Sequence, residues 1–461
     1  MSMRLNIHTF VKHIEKALGG VALQDRLDET QRSRVRRRFT RQEVLGFLNI
    51  DASHFTKLGK LTKMPEGEKS GRERLYTADD IMRMRVITAA QPGARKKTLF
   101  WRSENTHIPI ITLGSLKGGS GKSISSAHLA QHANLAYGLR VGLIDADPQA
   151  TLSLYFSDDK TKLLSEDTPT FADFIGVPEA GIRETTMHSP DKLDSFWQST
   201  PWPGIRLMPG GPSIQAADIA LFFLGRGDEA LGQPPAYALL RSTIQRWSDA
   251  HQPKSRAQDL LLPDGSINED AYQAALRETV DLIIIDTAPS MTLSQIGAIY
   301  AADSLVICQT MRGFDISTLK VYASSIGDYF DFIKDFEKSK AQIGQGPNFV
   351  LPTIVGRGND TDINQLAELY TAMPSAISPV FYFRSDAVAN AAEQFKSFFE
   401  FEPIKSRRES AAAFIANAKA VGDYILPRVM PGLGERGYAR AFIEANWDKD
   451  MIVASDDTEA A

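Results

Sequence analysis

The segment Lys117-Gly118-Gly119-Ser120-Gly121-Lys122-Ser123 constrains this chain more than any other stretch. An apolar run, Ile110-Ile111-Thr112-Leu113, leads into it, and a helical run follows from Ile124. Strand, glycine-rich turn and helix in that order make a cradle for phosphate. The glycines let successive backbone N–H groups turn inward around phosphate oxygens, and the helix aims its positive end at the same point. On that pattern Lys122 reaches the β- and γ-phosphates of a nucleotide, and the Ser123 hydroxyl coordinates Mg²⁺. The plain alternative is a strand–helix turn with no ligand, and the strand before and helix after weigh against it.

Two more apolar runs end in carboxylates. Val141-Gly142-Leu143-Ile144 leads to Asp145-Ala146-Asp147-Pro148-Gln149, and Leu282-Ile283-Ile284-Ile285 leads to Asp286-Thr287-Ala288-Pro289. A single aspartate at a strand end is usually a cap or turn residue. Ligands of parallel sheets collect at the carboxyl ends of strands, so three such aspartates behind one phosphate loop can face a common crevice. Further strands are expected at Ile205–Met208, Ser304–Cys308 and Phe349–Ile354. Alternation of such runs with helical segments from about 108 to 427 predicts an α/β fold with a mostly parallel sheet flanked by helices. The stretches 158–202 and 252–270 read as surface insertions. The part after 427 reads as a C-terminal helix and an acidic tail (Asp456, Asp457, Glu459).

Here a resemblance becomes specific. Lys117 to Ser123, Asp145 to Gln149 and Asp286 to Pro289 resemble the three signatures of the ParA/MinD superfamily of dimerising P-loop ATPases with a deviant Walker A motif. Leu116 stands where the generic P-loop has glycine, and the extra Lys117 marks the deviant form. The resemblance implies a P-loop NTPase fold, ATP and Mg²⁺ as cofactors, and an ATP-sandwich homodimer. It also implies roles: Lys122 and Ser123 on phosphate and Mg²⁺, Asp286 on Mg²⁺ through water, and Asp145 supporting the metal shell. Asp147 orients the attacking water, and Lys117 stabilises charge on the partner's γ-phosphate. Where the family usually shows a proline after the strand Ser304–Cys308, this chain has Gln309.

The rest of the chain separates members of that superfamily. One cysteine, Cys308, excludes an iron–sulfur protein with paired cysteines and any intramolecular disulfide. The acidic tail is unlike the basic amphipathic helix of membrane-positioning members, and there is no C-terminal tyrosine cluster. The N-terminus lacks an apolar run flanked by basic residues, and the apolar segment Leu282–Ile285 is far below spanning length, so a cytoplasmic, nucleoid-associated protein without membrane contact is expected.

Before the phosphate loop, residues 1–38 read as a helix with Phe10, Ile14 and Leu18 on one face, ending in Arg32, Arg34, Arg36, Arg37 and Arg38. A dimerisation arm and a solvated lead-in fit this pattern equally. Residues 39–97 read as helices and a linker. Thr40 with Glu43 has capping-box spacing, so a helix should run Arg41–Leu48, with Asn49-Ile50-Asp51 as a turn and a second helix over Ala52–Leu58. Met64 to Gly71 reads as a loop, Thr77 with Asp80 as a second capping box for a helix through Val86, and Gln91 to Lys97 as a basic linker. That spacing suits a winged helix-turn-helix or a small dimerisation domain. Joined to a ParA-like ATPase, Phe39 to Glu43 and Arg74 to Thr77 look like the N-terminal domain of RepA proteins from RepABC plasmid cassettes. The resemblance implies DNA contacts from His54, Lys57 and Lys60 on the second helix and from Arg72 and Arg74 on the wing. Non-specific DNA contacts are implied for Arg357 and Arg384, with Ala387 where a second arginine often stands, supplemented by Lys405, Arg407 and Arg408.

A net charge of −4 agrees with DNA contact through local patches only. The whole pattern implies operator-binding autoregulation and plasmid segregation with a ParB/RepB-like centromere-binding partner. Two rivals are a nucleotide-responsive repressor and a chromosome-segregation ATPase.

Overall fold

Thr40 and Thr77 each start a helix of the N-terminal region. The Thr40 hydroxyl accepts from the backbone N–H of Glu43, whose carboxylate accepts from the backbone N–H of Thr40 at 2.9 Å. This capping box starts α1 (Arg41–Leu48), directly after the short strand β1 (Phe39–Thr40). Asn49, in the left-handed region at φ 54°, ends α1, and Asp51 caps α2 (Ala52–Leu61) by accepting from the His54 N–H at 2.8 Å. The helix runs three residues past the expected Leu58, because its packed residues Phe55 and Leu58 hold the next turn. The expected loop 64–71 contains a strand: β2 (Glu68–Ser70) pairs antiparallel with β3 (Glu73–Tyr76), and β1 adds to the other edge of β3. The Thr77–Asp80 box then starts α3 (Ala78–Ala89).

The computed structural model describes residues 37–92, 97–157, 168–177, 185–225, 234–311, 313–337, 346–356, 360–400 and 408–447, with Thr9, Lys12 and Lys16. Phe10, Ile14, Leu18, Arg32, Arg34, Arg36, Arg357, Lys405, Arg407 and the acidic tail lie outside these residues. Arg37 and Arg38, the described end of the basic run, are paired with Glu43 and Glu68.

The next elements are β4 (Ile110–Gly114), α4 (Lys122–Tyr137), β5 (Val141–Ala146), α5 (Thr151–Phe156), α6 (Phe171–Phe174), α7 (Pro190–Ser195), β6 (Gln198–Ser199), β7 (Ile205–Met208), α8 (Ser213–Leu224), α9 (Leu239–Ala250) and α10 (Glu269–Arg277). After them come β8 (Leu282–Thr287), α11 (Leu293–Ala301), β9 (Ser304–Thr310), α12 (Gly313–Glu337), β10 (Phe349–Thr353), α13 (Asp360–Ala372), α14 (Asp386–Glu393), α15 (Arg408–Val429) and α16 (Tyr438–Asn446). Seven strands form one sheet in the order β10-β9-β4-β8-β5-β7-β6, parallel except for the β6–β7 edge pair. β4, β5 and β8 are buried along their whole length, as continuous apolar runs covered by helices on both faces must be. β4 leads to β5, β8 later inserts between them, and β9 joins the far side of β4, which opens the crevice at the strand ends.

The two expected surface insertions carry core instead. Within 158–202, Phe171, Phe174 and Trp197 are buried against Trp247 and the outer strands. Within 252–270, buried Leu260 joins Tyr272 and Leu276 in a cluster with Met82 and Val86 of α3. That segment therefore helps pack α3 against α10, and its polar composition hides the few apolar residues that do so. Among the described residues no helix is long and apolar enough to cross a membrane.

Candidate active site

The phosphate loop leaves β4 at Gly114 and enters α4 at Lys122. Gly119 and Gly121 have φ of 71° and 82°, which side chains with a Cβ rarely adopt. A Cβ at Gly118 or Gly119 would meet nothing within 4 Å, so the loop presents an open concave face. The Thr353 hydroxyl, at the end of β10, donates to the Ser120 carbonyl at 2.7 Å and fixes the loop from behind. Lys122 is buried, and its Nζ donates to the Lys117 carbonyl at 3.3 Å, across the mouth of the loop.

Register brings the acids together. On β8, Asp286 lies opposite Leu113 of β4 on one side and Asp145 of β5 on the other. Asp145 is fully buried and its oxygens are occupied: one accepts from the Asp147 N–H at 3.1 Å, the other from the Ser153 N–H and hydroxyl at 2.8 and 2.7 Å. Asp145 therefore shapes the turn that carries Asp147, whose own carboxylate accepts from the Gln149 N–H at 2.8 Å. Burial, with the Asp286 charge beside it, holds the Asp145 carboxyl well above its ordinary value. Burial likewise pushes Asp286 up to about 6, against the pull of Ser123, Lys122 and Ser126. The Asp286 Oδ1 accepts from Ser126 at 3.1 Å, while its buried Oδ2 has no hydrogen-bond partner. One unpaired carboxylate oxygen beside the Ser123 hydroxyl suits Mg²⁺, which takes one or two protein ligands together with phosphate and water. No group of three or more metal-ligating side chains of the cage type occurs among the described residues.

Lys117 does not point into open space. Its Nζ lies 2.5 Å from Asp315 Oδ1, and the Thr310 hydroxyl donates to the other oxygen of that carboxylate. Gln309 buttresses the same turn, its Nε2 donating to the carbonyls of Thr310 and Asp315 at 3.0 and 2.8 Å. Gln309 thus supports the Lys117 partner.

Beside Gly121 a cavity of about 240 Å³ opens, lined by Ser125, His128, Thr353, Tyr382, Phe383 and Phe414 among others. His128 is neutral there, since burial pushes its pKa down to about 3. Arg384, expected on a DNA surface, is exposed at the lip of this cavity. The structure gathers Lys117 to Ser123, Asp145, Asp147 and Asp286, and leaves His54, Lys57, Lys60, Arg72 and Arg74 exposed on α2, the β2–β3 turn and the hairpin. Arg74 is spent partly at home, 3.3 Å from Glu66. Asp315, Thr353 and the cavity walls escaped sequence reasoning; the position of Thr353 at the carboxyl end of a sheet strand was the one local signal.

Comparison with known proteins agrees with this geometry. Residues 111–397 match the CobQ/CobB/MinD/ParA nucleotide binding domain. Protein SopA of Escherichia coli strain K12 is 24% identical over 329 residues, covering 68% of this chain and 67% of SopA. Protein IncC of Escherichia coli is 22% identical over 329 residues, covering 71% of this chain and 72% of IncC. A solved structure titled as a partition protein, 17% identical, superposes with a TM-score of 0.55 over 93% of this chain and 100% of its own, and so shares the fold. The chain belongs to the ParA/MinD family of P-loop nucleotide-binding proteins.

Proposed function

We propose that this protein is an ATP-hydrolysing plasmid-partition protein that works on DNA as a nucleotide-sandwiched homodimer. The observation that carries this reading is the convergence of Lys122, Asp147 and the half-satisfied Asp286 on one phosphate loop beside a base-sized cavity. Lys122 leaves the Lys117 carbonyl to bind β- and γ-phosphate oxygens, and the cavity beside Gly121 takes the adenine. Ser123 and, through water, Asp286 would hold Mg²⁺, with Asp145 behind them; the ion would supply positive charge against the phosphates. Asp147 orients the attacking water. Lys117 crosses to the partner's γ-phosphate, which requires it to leave Asp315; the ion pair keeps it withdrawn in the single subunit.

The names of SopA, IncC and the solved partition protein support the partition reading. The α1–turn–α2 unit with its hairpin serves as a winged helix-turn-helix that reads an operator through His54, Lys57, Lys60 and Arg72. Arg357 and Arg384 contact DNA without sequence preference, and a ParB/RepB-like centromere-binding protein stimulates hydrolysis in the cytoplasm, on the nucleoid. A second reading, a nucleotide-responsive repressor, is favoured by one feature: α2 exposes every residue except Phe55 and Leu58.

The test is binding of the purified protein to unrelated DNA with ATP, ADP or no nucleotide, beside Lys117→Ala. ATP-specific binding that the variant loses is the expected result. Binding indifferent to ATP, or confined to one operator, would replace the partition reading by the repressor.

A further inference from the structure

α3 belongs to two parts of the molecule at once. Its residue Arg85 is fully buried, and its guanidinium donates to three main-chain carbonyls: Thr98 at 2.5 Å, Phe47 at 2.6 Å, and Leu135. These carbonyls come from the segment joining α3 to β4, from the last turn of α1, and from the last turn of α4. A buried cation held by carbonyls tolerates little displacement, because each lost bond strands charge away from water. The three ends must therefore move together.

Each end leads somewhere. α4 begins at Lys122, the phosphate lysine, and its sixteen residues span about 24 Å as a stiff rod. α1 ends next to Phe47, and a three-residue turn passes directly into α2. The aromatic pairs Phe39–Phe47 and Phe55–Tyr76, at 5.5 and 6.4 Å, tie that turn to the small sheet. Two residues before Arg85, Arg83 makes a separate clamp, reaching both oxygens of Glu269 at 2.8 Å and lying 4.6 Å over the Tyr272 ring. That clamp docks α3 on α10 without touching α4.

We propose that Arg85 is a positioning residue that couples the far end of α4, whose first residue is Lys122, through the end of α1 to α2, so that nucleotide occupancy sets how α2 is presented. The two states differ in the partner of Lys122, the Lys117 carbonyl in one and phosphate in the other. This inference rests on the nucleotide-binding reading of the site; its consequence is nucleotide control over the helix that reads DNA.

The test is amide hydrogen exchange on the full chain with and without Mg²⁺ and a non-hydrolysable ATP analogue, in the wild type, Arg85→Met and Arg83→Gln. In the wild type, nucleotide should change exchange in residues 117–137 and also in 52–61. Arg85→Met should keep the first change and lose the second, while Arg83→Gln keeps both. If Arg85→Met does not fold, Arg85→Lys, which reaches fewer carbonyls, carries the same comparison. A wild type with no change in 52–61, an arginine-85 variant that retains it, or loss in Arg83→Gln equal to that in the arginine-85 variant overturns the link. No change in 117–137 in the wild type overturns the nucleotide reading itself, so the two failures are distinguishable.

Discussion

Asp286 faces Asp145 across neighbouring strands, with both carboxyls fully buried. An acid that ionises at about 6 in the fold, against an ordinary value of 3.8, binds more protons folded than unfolded between those values. Stability therefore falls as pH rises through that window, and the cost is complete above about 6. On the proposed reading, a bound cation would repay this cost. Asp286→Asn removes the charge and keeps an oxygen to accept from Ser126. The variant should be more stable than the wild type at pH 7.5, by on the order of 1–3 kcal/mol, with the gain shrinking at pH 4.5. It should also lose the stabilisation that Mg²⁺ with nucleotide gives the wild type. Thermal melts at the two pH values, with and without Mg²⁺ and nucleotide, read both effects. An unchanged or lower melting temperature at pH 7.5 would mean that burial does not penalise the Asp286 carboxylate.

α4 and α15 cross where Gly422 meets His132. A Cβ on Gly422 would lie 2.3 Å from His132 Cδ2, and neither ring nitrogen of His132 has a hydrogen-bond partner. Burial, with Lys419, Arg436 and Arg85 nearby, pushes the His132 pKa down to about 3, so the ring packs as a neutral plate. Gly422→Ala should therefore overpack the crossing and cost about 1–3 kcal/mol. Combined with His132→Ala, which opens the space, it should cost much less; additive losses in denaturant midpoints would refute the contact. This crossing also shows which parts of the fold were legible. The phosphate loop and the strands Leu282–Thr287 and Val141–Ala146 announce themselves, because glycine geometry and unbroken apolar runs are local demands. The capping boxes of α1 and α3 are local too. By contrast Ser125, Ser126, His128, Gln131, His132 and Asn134 look like a solvated helix face, and all are buried. Asp315 stands 198 residues from the Lys117 it holds, and no spacing rule spans that distance.

At the scale of the whole molecule, the question is whether residues 39–92 form a module on a linker or part of one core. Met82 and Val86 share a cluster with Leu260, Tyr272 and Leu276, and Phe39, Phe47 and Met84 belong to the same continuous core as Ile111 and Leu113 of β4. Tyr272 adds a hydrogen bond to Asp79 at 2.7 Å, and Lys419 of α15 lies 4.5 Å over the Phe47 ring. Contacts of this kind, apolar and buried, are what makes two units unfold together, whereas domains joined by polar interfaces separate. The composition allows a clean test. All five tryptophans, Trp101, Trp197, Trp202, Trp247 and Trp447, lie outside residues 39–92, so intrinsic fluorescence reports the sheet and its helices. The one cysteine, Cys308, is buried, so a dye on Lys57→Cys reports α2 alone in the native protein. Urea titration should give coincident midpoints for the two signals, and adding Mg²⁺ with ATP should move both by the same amount. A dye transition that comes earlier and ignores nucleotide would make the N-terminal helices an independent module, and the path through Arg85 would then have nothing to transmit.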